Sequence, residues 1–139
     1  MPNWCKNEIE ITGNKEGLVK LADFVKGEKS DFDFNKIIPI HSKNNAVECQ
    51  SEYWGTKWNA DNLCLEFEDS MIWVRFYTAW SPSEPVTKTL SELFPNLTFK
   101  HSSDEPSCDF SGYVIFKNGE IIERKEGSYE EYCIDEEED

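Results

Sequence analysis

Two neighbouring strand-like segments near the middle of the chain constrain its fold more than any other feature. From Leu63 to Glu68, leucine and phenylalanine alternate with cysteine and glutamate, the period-2 pattern of a strand with one buried face. The segment from Met71 to Ala79 is rich in β-branched and aromatic residues, which pleated surfaces favour. Only a short polar turn, Glu68-Asp69-Ser70, separates the two segments. The pattern therefore predicts a central antiparallel hairpin.

Two helices and further strands are predicted around this hairpin. Apolar residues recur at helical spacing after the N-cap candidates Asn14 and Ser83, which predicts helices at Lys15–Lys26 and Glu84–Phe94. Asn118-Gly119 is a strong hairpin signal, because both residues tolerate positive φ. Pro39 limits the segment before it to an edge strand or an extended lead-in. The remaining strands are predicted at Asn7–Thr12, Leu97–Lys100, Tyr113–Phe116 and Glu120–Arg124.

This order of elements predicts an α+β fold. Two helices that each follow a strand, with an antiparallel pair in the middle, fit a ferredoxin-like split βαβ sandwich. We expect an antiparallel sheet with two helices on one face, plus a C-terminal β-hairpin. The predicted domain spans residues 1–126. Residues 127–139 are predicted to form an acidic tail, because their charged side chains are all carboxylates.

Charge and cysteine content restrict the function and the compartment. A formal net charge of -14 opposes direct binding to nucleic acid, which depends on Lys and Arg displacing counterions. The same charge favours a partner with a basic surface. The five cysteines are scattered and form no Cys-x-x-Cys pair, as expected for free thiols in a reducing compartment. With no signal peptide or membrane-spanning apolar run, we expect a cytoplasmic protein without membrane contact, as a monomer or small homo-oligomer.

An aromatic loop precedes the central hairpin, and a tryptophan follows it. Trp54, Lys57, Trp58 and Trp80 either anchor a partner or line a groove, since Trp is enriched at binding hot spots. The alternative is that these rings plug one end of a small sheet and belong to the core.

The acidic side chains form a second candidate site. Carboxylates in rows along strands can imitate a phosphate ladder and occupy the basic channel of a nucleic-acid enzyme. The alternative is that acidity only keeps a small protein soluble. The candidate partner-binding carboxylates are Glu66, Glu68, Asp69, Asp104 and Glu105.

Other chemistries have weaker support. Trp73, Tyr77 and Tyr113 are of the type that stacks RNA bases on an open sheet, but the glutamates of the predicted strands oppose phosphate. Cys5 lacks a nucleophile motif and is expected to be a small core residue. No phosphate loop or dinucleotide fingerprint is present, so we expect no enzyme, metal or cofactor. Ligand-type residues without the close spacing of a zinc site are His41, His101, Cys108 and Asp109.

Several short motifs in the same order resemble the phage- and plasmid-borne YubB-like family, which has a ferredoxin-like domain. The resemblance covers about residues 1–125. It implies the same fold class and a home on a mobile element, and it brings no assigned reaction, substrate or catalytic residue. The matching motifs are Met1-Pro2-Asn3-Trp4-Cys5 with Asn7, Trp54-Gly55-Thr56-Lys57-Trp58, Thr78-Ala79-Trp80-Ser81-Pro82, Pro85-Val86, Leu90-Ser91, Phe94-Pro95 and Phe110-Ser111-Gly112.

These observations lead to two expected functions. In the first, the chain is a non-enzymatic accessory protein that binds, and inhibits, a host defence or nucleic-acid-processing protein through its acidic surface. In the second, it is a small-molecule or nucleotide-binding domain, or a small enzyme, with a pocket at the Trp54–Trp58/Trp80 edge.

Overall fold

The structure is a computed structural model, and it describes residues 4–27, 30–38, 61–68, 70–79, 82–105 and 109–129. None of the helices in these ranges has the length and hydropathy that crossing a bilayer requires. In chain order the elements are β1 (Trp4–Thr12), α1 (Lys15–Val25), α2 (Phe34–Ile37), β2 (Asp61–Glu68), β3 (Met71–Ala79), α3 (Glu84–Leu93), β4 (Thr98–Glu105), β5 (Phe110–Lys117) and β6 (Glu120–Gly127).

The strands form one six-stranded antiparallel sheet with the order β2-β3-β1-β4-β5-β6. Its first four strands have the arrangement of a split βαβ unit, in which β1 lies between β3 and β4 and two longer helices make the connections. The predicted ferredoxin-like class is therefore confirmed. The C-terminal hairpin does not stand apart, because β5 pairs with β4 and extends the same sheet.

The core lies between the sheet and the longer helices. Alternate residues of β1 and β3 are fully buried, and the apolar stripes of α1 and α3 pack against them. Burying an aliphatic or aromatic side chain of this size contributes about 1.5–3 kcal/mol, so this layer dominates the stability. The core includes Ile9, Ile11, Leu18, Leu21, Val25, Ile72, Val74, Phe76, Val86, Leu90, Phe99, Val114 and Phe116.

A short helix replaces the extended segment expected before Pro39. Phe34–Ile37 forms one helical turn, and the expectation of an edge strand or extended lead-in was wrong. The cause is aromatic packing: Phe32 stacks on Phe76 at 5.6 Å between ring centroids, and Phe34 meets Phe76 edge-on at 5.7 Å. Burial of these rings outweighs the preference of a short segment for extended backbone.

The strands are longer than their sequence patterns predict. β4 continues to Glu105, five residues beyond its predicted end at Lys100, so Asp104 and Glu105 lie within the strand. β6 continues to Gly127, across the predicted domain boundary, and the Tyr129 amide donates to Asp109 Oδ1 at 3.0 Å. The pairing of each added residue with its neighbour is a long-range backbone interaction, which no local pattern reports.

The turn between β5 and β6 has the conformation that its sequence predicts. Asn118 and Gly119 both have positive φ, at 54° and 78°. The Gly119 amide donates to Ser91 Oγ at 2.9 Å. Arg124 pairs with Glu84 at 3.0 Å. These two contacts fasten the hairpin to α3.

Candidate functional site

The described helices all lie on one face of the sheet, and none of them lies on the other. Residues directly opposite each other in an antiparallel pair point to the same side, so the register assigns each residue to a face. We call the second side the helix-free face. It carries Met71, Trp73, Arg75 and Tyr77 of β3, Glu8 and Glu10 of β1, Glu66 and Glu68 of β2, Lys100 and Ser102 of β4, and Tyr113 and Ile115 of β5.

Trp73 and Arg75 form a stacked pair near the middle of this face. The guanidinium carbon of Arg75 lies 4.5 Å from the centroid of the Trp73 ring, a cation–π distance. The carboxylate of Glu8 accepts from the indole nitrogen of Trp73 and lies 3.5 Å from the Arg75 guanidinium. Among the described residues Arg75 Nε is buried without a hydrogen-bond partner. All three side chains are half-buried.

A second stacked pair lies on the other half of the face. Lys100 Nζ is 4.6 Å from the centroid of the Tyr113 ring. The Tyr113 hydroxyl donates to Glu123 at 2.7 Å. A cation–π contact at such an exposed site contributes about 0.5–1 kcal/mol. It orients the ring but does not bury it.

The sequence predicted that Trp73, Tyr77 and Tyr113 share one face, and the structure places them so. The same face carries the glutamates that opposed RNA binding. In the described part of this face, the three strands nearest the β2 edge carry four half-buried or exposed carboxylates and one guanidinium. Stacking platforms for single-stranded nucleic acid combine their aromatic rings with a positively charged groove, which this half of the sheet lacks.

Glu66 and Glu68 lie on the sheet's edge strand and are exposed. Trp73 lies between two carboxylates, with Glu66 directly opposite on β2 and Glu10 directly opposite on β1. Among the described residues none of Glu10, Glu66 and Glu68 forms an ion pair. An indole is therefore flanked by two carboxylates that form no ion pair with a described residue, although Lys100 lies opposite Glu10 on β4.

The other predicted site residues are placed differently. Asp104 and Glu105 are 2% and 4% exposed at the end of β4, and two strands separate them from Glu66 and Glu68 on β2. Both take part in interactions within the protein, and Asp104 lies opposite the buried Lys6. They do not add to an accessible acidic surface. The predicted residues Trp54, Lys57, Trp58, Asp69 and Trp80 lie outside the described residues.

Cys5, a weak candidate for catalysis, and His101, a weak candidate for metal binding, are both in the core. Burial, together with the charges of Asp104 and Glu105, raises the pKa of the Cys5 thiol to about 12. Burial also lowers the pKa of His101 to about 3. A thiol held protonated and an imidazole held neutral and out of solvent are poorly suited to nucleophilic or general-acid work at neutral pH.

His101 instead belongs to a buried chain of hydrogen bonds. Its Nδ1 lies 2.8 Å from Thr87 Oγ1, and its Nε2 lies 2.7 Å from Asn7 Oδ1. The Asn7 amide nitrogen then donates to Thr78 Oγ1 at 2.8 Å and to the Cys5 carbonyl at 3.1 Å. Because both ring nitrogens are engaged, neither is available to a metal ion. Within the described ranges no three His, Cys, Asp or Glu side chains are placed to hold a metal.

Two groups were not predicted from the sequence. They are the buried hydrogen-bonded chain through His101 and the Glu8–Trp73–Arg75 group. Asn7, Thr78 and Thr87 resemble ordinary polar positions in the sequence, and their common burial depends on strand register. One signal was present for the second group: Trp73 and Arg75 are two apart on a strand and so share a face.

The structure also has an open groove of about 360 Å³ between the start of α1 and the end of α3, lined in part by Asn14, Lys20 and Phe94. Its described lining includes one lysine and one glutamate. We assign no ligand to it.

Comparison with known proteins supports the fold. A family model described as a ferredoxin-like domain in Api92-like protein matches residues 53–139. The crystal structure of the protein api92 from Yersinia pseudotuberculosis superimposes with a TM-score of 0.70 at 12% sequence identity, covering 93% of this chain and 98% of that one. At this identity the likeness concerns the fold alone. No curated protein matches the chain.

Proposed function

This chain belongs to the family of Api92-like proteins with a ferredoxin-like domain, and from that premise we propose that it is a non-enzymatic accessory protein that binds a basic surface of a host protein. The observation that carries the proposal is the pair Glu66 and Glu68, exposed on an edge strand and without ion pairs among the described residues. Successive residues of one strand face are about 7 Å apart, so the two carboxylates form a short row of negative charge.

Two further observations support binding over catalysis. The thiol of Cys5 and the imidazole of His101 are buried, and their pKa values are shifted away from useful reactivity at neutral pH. The net charge of -14 steers association toward positively charged surfaces.

The partner class follows from the same charge. Proteins that process or cleave nucleic acid have basic grooves for phosphate, and a row of carboxylates is complementary to such a groove. We therefore propose a host defence or nucleic-acid-processing protein as the partner, and inhibition by occupation of its groove. The motif resemblance to YubB-like proteins of phages and plasmids supports a mobile element as the source and the bacterial cytoplasm as the place of action.

Affinity capture from a bacterial lysate, with the captured proteins identified by mass spectrometry, tests this function. We expect the wild type to retain a specific protein at low salt and to lose it at high salt, because surface charges are screened. The double variant Glu66→Lys with Glu68→Lys should lose that protein at low salt as well.

A matched control is the double variant Glu16→Lys with Asp23→Lys, which makes the same charge change at exposed positions of α1. It should retain the captured protein. Capture that is indifferent to salt, or lost equally in both double variants, would contradict a specific acidic contact on β2.

A further inference from the structure

The helix-free face is divided by charge. On its β2–β3–β1 half the described charged side chains, apart from the buried Lys6, are one cation, Arg75, and the four carboxylates Glu8, Glu10, Glu66 and Glu68. On its β4–β5–β6 half, lysines outnumber carboxylates once the buried Asp104 is set aside. We call the first half the acidic half. Its charge suits a cationic ligand.

The centre of the acidic half is Trp73, a half-buried ring with a carboxylate directly opposite it on each side. Side chains directly opposite each other in a sheet have Cβ atoms about 4.5–5.5 Å apart, so the side chains of Glu10 and Glu66 start on either side of the indole. Neither forms an ion pair with a described residue, and Lys100, opposite Glu10 on β4, has its Nζ over the Tyr113 ring. A cation bound at this position would lie near one aromatic ring and two carboxylates.

A contact within the protein shows that the Trp73 ring binds a guanidinium group. Arg75 stacks on Trp73 at 4.5 Å and shares the Glu8 carboxylate with the indole nitrogen. This group is an internal example of guanidinium recognition by an aromatic ring and a carboxylate. It occupies Glu8 and leaves Glu10 and Glu66 for an external cation.

We propose that Trp73, Glu10 and Glu66 form a recognition point for an arginine or lysine side chain of a protein partner. The cation lies against the indole and pairs with the two flanking carboxylates, while Glu68 lies one step along β2 to meet a second basic residue. This proposal rests on the proposed function and names the contact through which a basic partner is held.

Titration with a synthetic octa-arginine peptide, followed through the indole N–H resonance of Trp73 in the NMR spectrum, tests the proposal. The resonance is assigned by its loss in Trp73→Phe. We expect it to shift with the peptide and not with an octa-glutamate peptide. Trp73→Leu should weaken binding by about two- to fivefold. Glu10→Gln with Glu66→Gln should weaken it by about three- to tenfold.

Two controls separate this contact from general charge attraction. Tyr113→Leu removes an aromatic ring from the other half of the same face and should leave the affinity unchanged. Glu16→Gln with Asp23→Asn removes two exposed carboxylates from α1 and should change the affinity less than the Glu10 and Glu66 pair does. Circular dichroism confirms that each variant is folded, and the retained ring in Trp73→Phe should preserve most of the binding.

The possible outcomes distinguish the two proposals. Equal peptide affinity in the wild type, Trp73→Leu and the Glu10/Glu66 variant would overturn the recognition point, even if the lysate capture depends on Glu66 and Glu68. The expected peptide results without any captured host protein would support the recognition point and contradict the proposed function. A Trp73 shift with an oligothymidylate and none with octa-arginine would overturn both. Self-association abolished by Trp73→Leu, without peptide binding, would assign the face to a second copy and overturn the recognition point.

Discussion

The side chains of Thr87, His101, Asn7 and Thr78 form a continuous polar line through an otherwise apolar core. An unpaired buried polar group costs about 1–3 kcal/mol, and this arrangement avoids that cost because each member bonds to the next. Burial has a second effect on His101, since it holds the imidazole neutral. Because His101 is buried in its neutral form, the stability of the folded protein depends on pH.

We expect the stability of the protein to fall below pH 6.5 because of His101. Its pKa is about 3 in the folded protein, against an ordinary value near 6.5 in the unfolded chain. Between these values the unfolded chain binds a proton that the folded protein excludes, so stability rises with pH across this window and levels off above it. The slope reaches about 1.4 kcal/mol per pH unit.

Urea unfolding at pH 7, 6 and 5 measures this effect against His101→Gln, which does not titrate. From pH 7 to pH 5 the wild type should lose about 2 kcal/mol more than the variant. Thr87→Val serves as a control, because it removes one partner and keeps the imidazole, so its slope should match the wild type. Parallel curves for the wild type and His101→Gln would show that His101 is accessible to protons in the folded state.

At the scale of elements, α1 and α3 begin with caps that differ in their bonding. Asn14 accepts a hydrogen bond from the Gly17 amide at 2.7 Å. Ser83 occupies the equivalent position before α3, makes no side-chain cap bond, and among the described residues its buried hydroxyl has no partner. The sequence identified both residues as caps, but only one of them satisfies a free amide.

We predict opposite results from substituting the two caps. Asn14→Ala should lower the free energy of unfolding by about 1 kcal/mol, because an amide of the first turn loses its acceptor. Ser83→Ala should leave it within about 0.5 kcal/mol or raise it, because the change removes an unpaired buried hydroxyl. Urea unfolding of both variants measures the difference. An equal loss in the two would mean that Ser83 does cap α3.

Local patterns predicted the elements well where one face of the element is apolar. The alternation in β1 and β3 and the stripe in α1 gave the correct type and the correct buried face. They failed at Phe34–Ile37, where rings packing on Phe76 decide the conformation, and at the end of β4, where polar residues are buried by neighbouring strands. In both places the deciding contacts are distant in sequence.

The same limit applies to the candidate site. Glu66 and Glu68 could be assigned to an exposed strand face from alternation alone, and the structure places both in the open. Asp104 and Glu105 could not, because their burial depends on the pairing of β4 with β1 and β5. The flanking of Trp73 by Glu10 and Glu66 depends on the register of three strands, which the chain order does not specify.

At the scale of the whole molecule, the net charge is -14, and the excess carboxylates repel one another in the compact state. We therefore expect added sodium chloride to raise the melting temperature, because screening weakens this repulsion more than it weakens the exposed ion pairs, each worth about 0–1 kcal/mol. The Glu66→Lys with Glu68→Lys variant should show a smaller rise, since its formal charge is -10 after each substitution adds two positive charges. Thermal unfolding across a salt series checks both. A melting temperature that falls with salt would show that ion pairs outweigh the repulsion.

The hydrogen-bonded line through His101 also selects one alignment of the central strands. If β4 slid by two residues along β1, every side chain would keep its inward or outward direction, and apolar burial would hardly distinguish the two arrangements. In the slide that moves His101 from Ile9 to Ile11, the imidazole would lie farther from Asn7, and the Asn7 amide would lie opposite the Glu105 carboxylate. Buried polar groups would then lack hydrogen-bond partners, so the slipped pairing is less stable than the observed one. In the same way, the hydrogen bond from Asn7 to Thr78 favours the register of β1 on β3 that places Glu10 opposite the Trp73 indole.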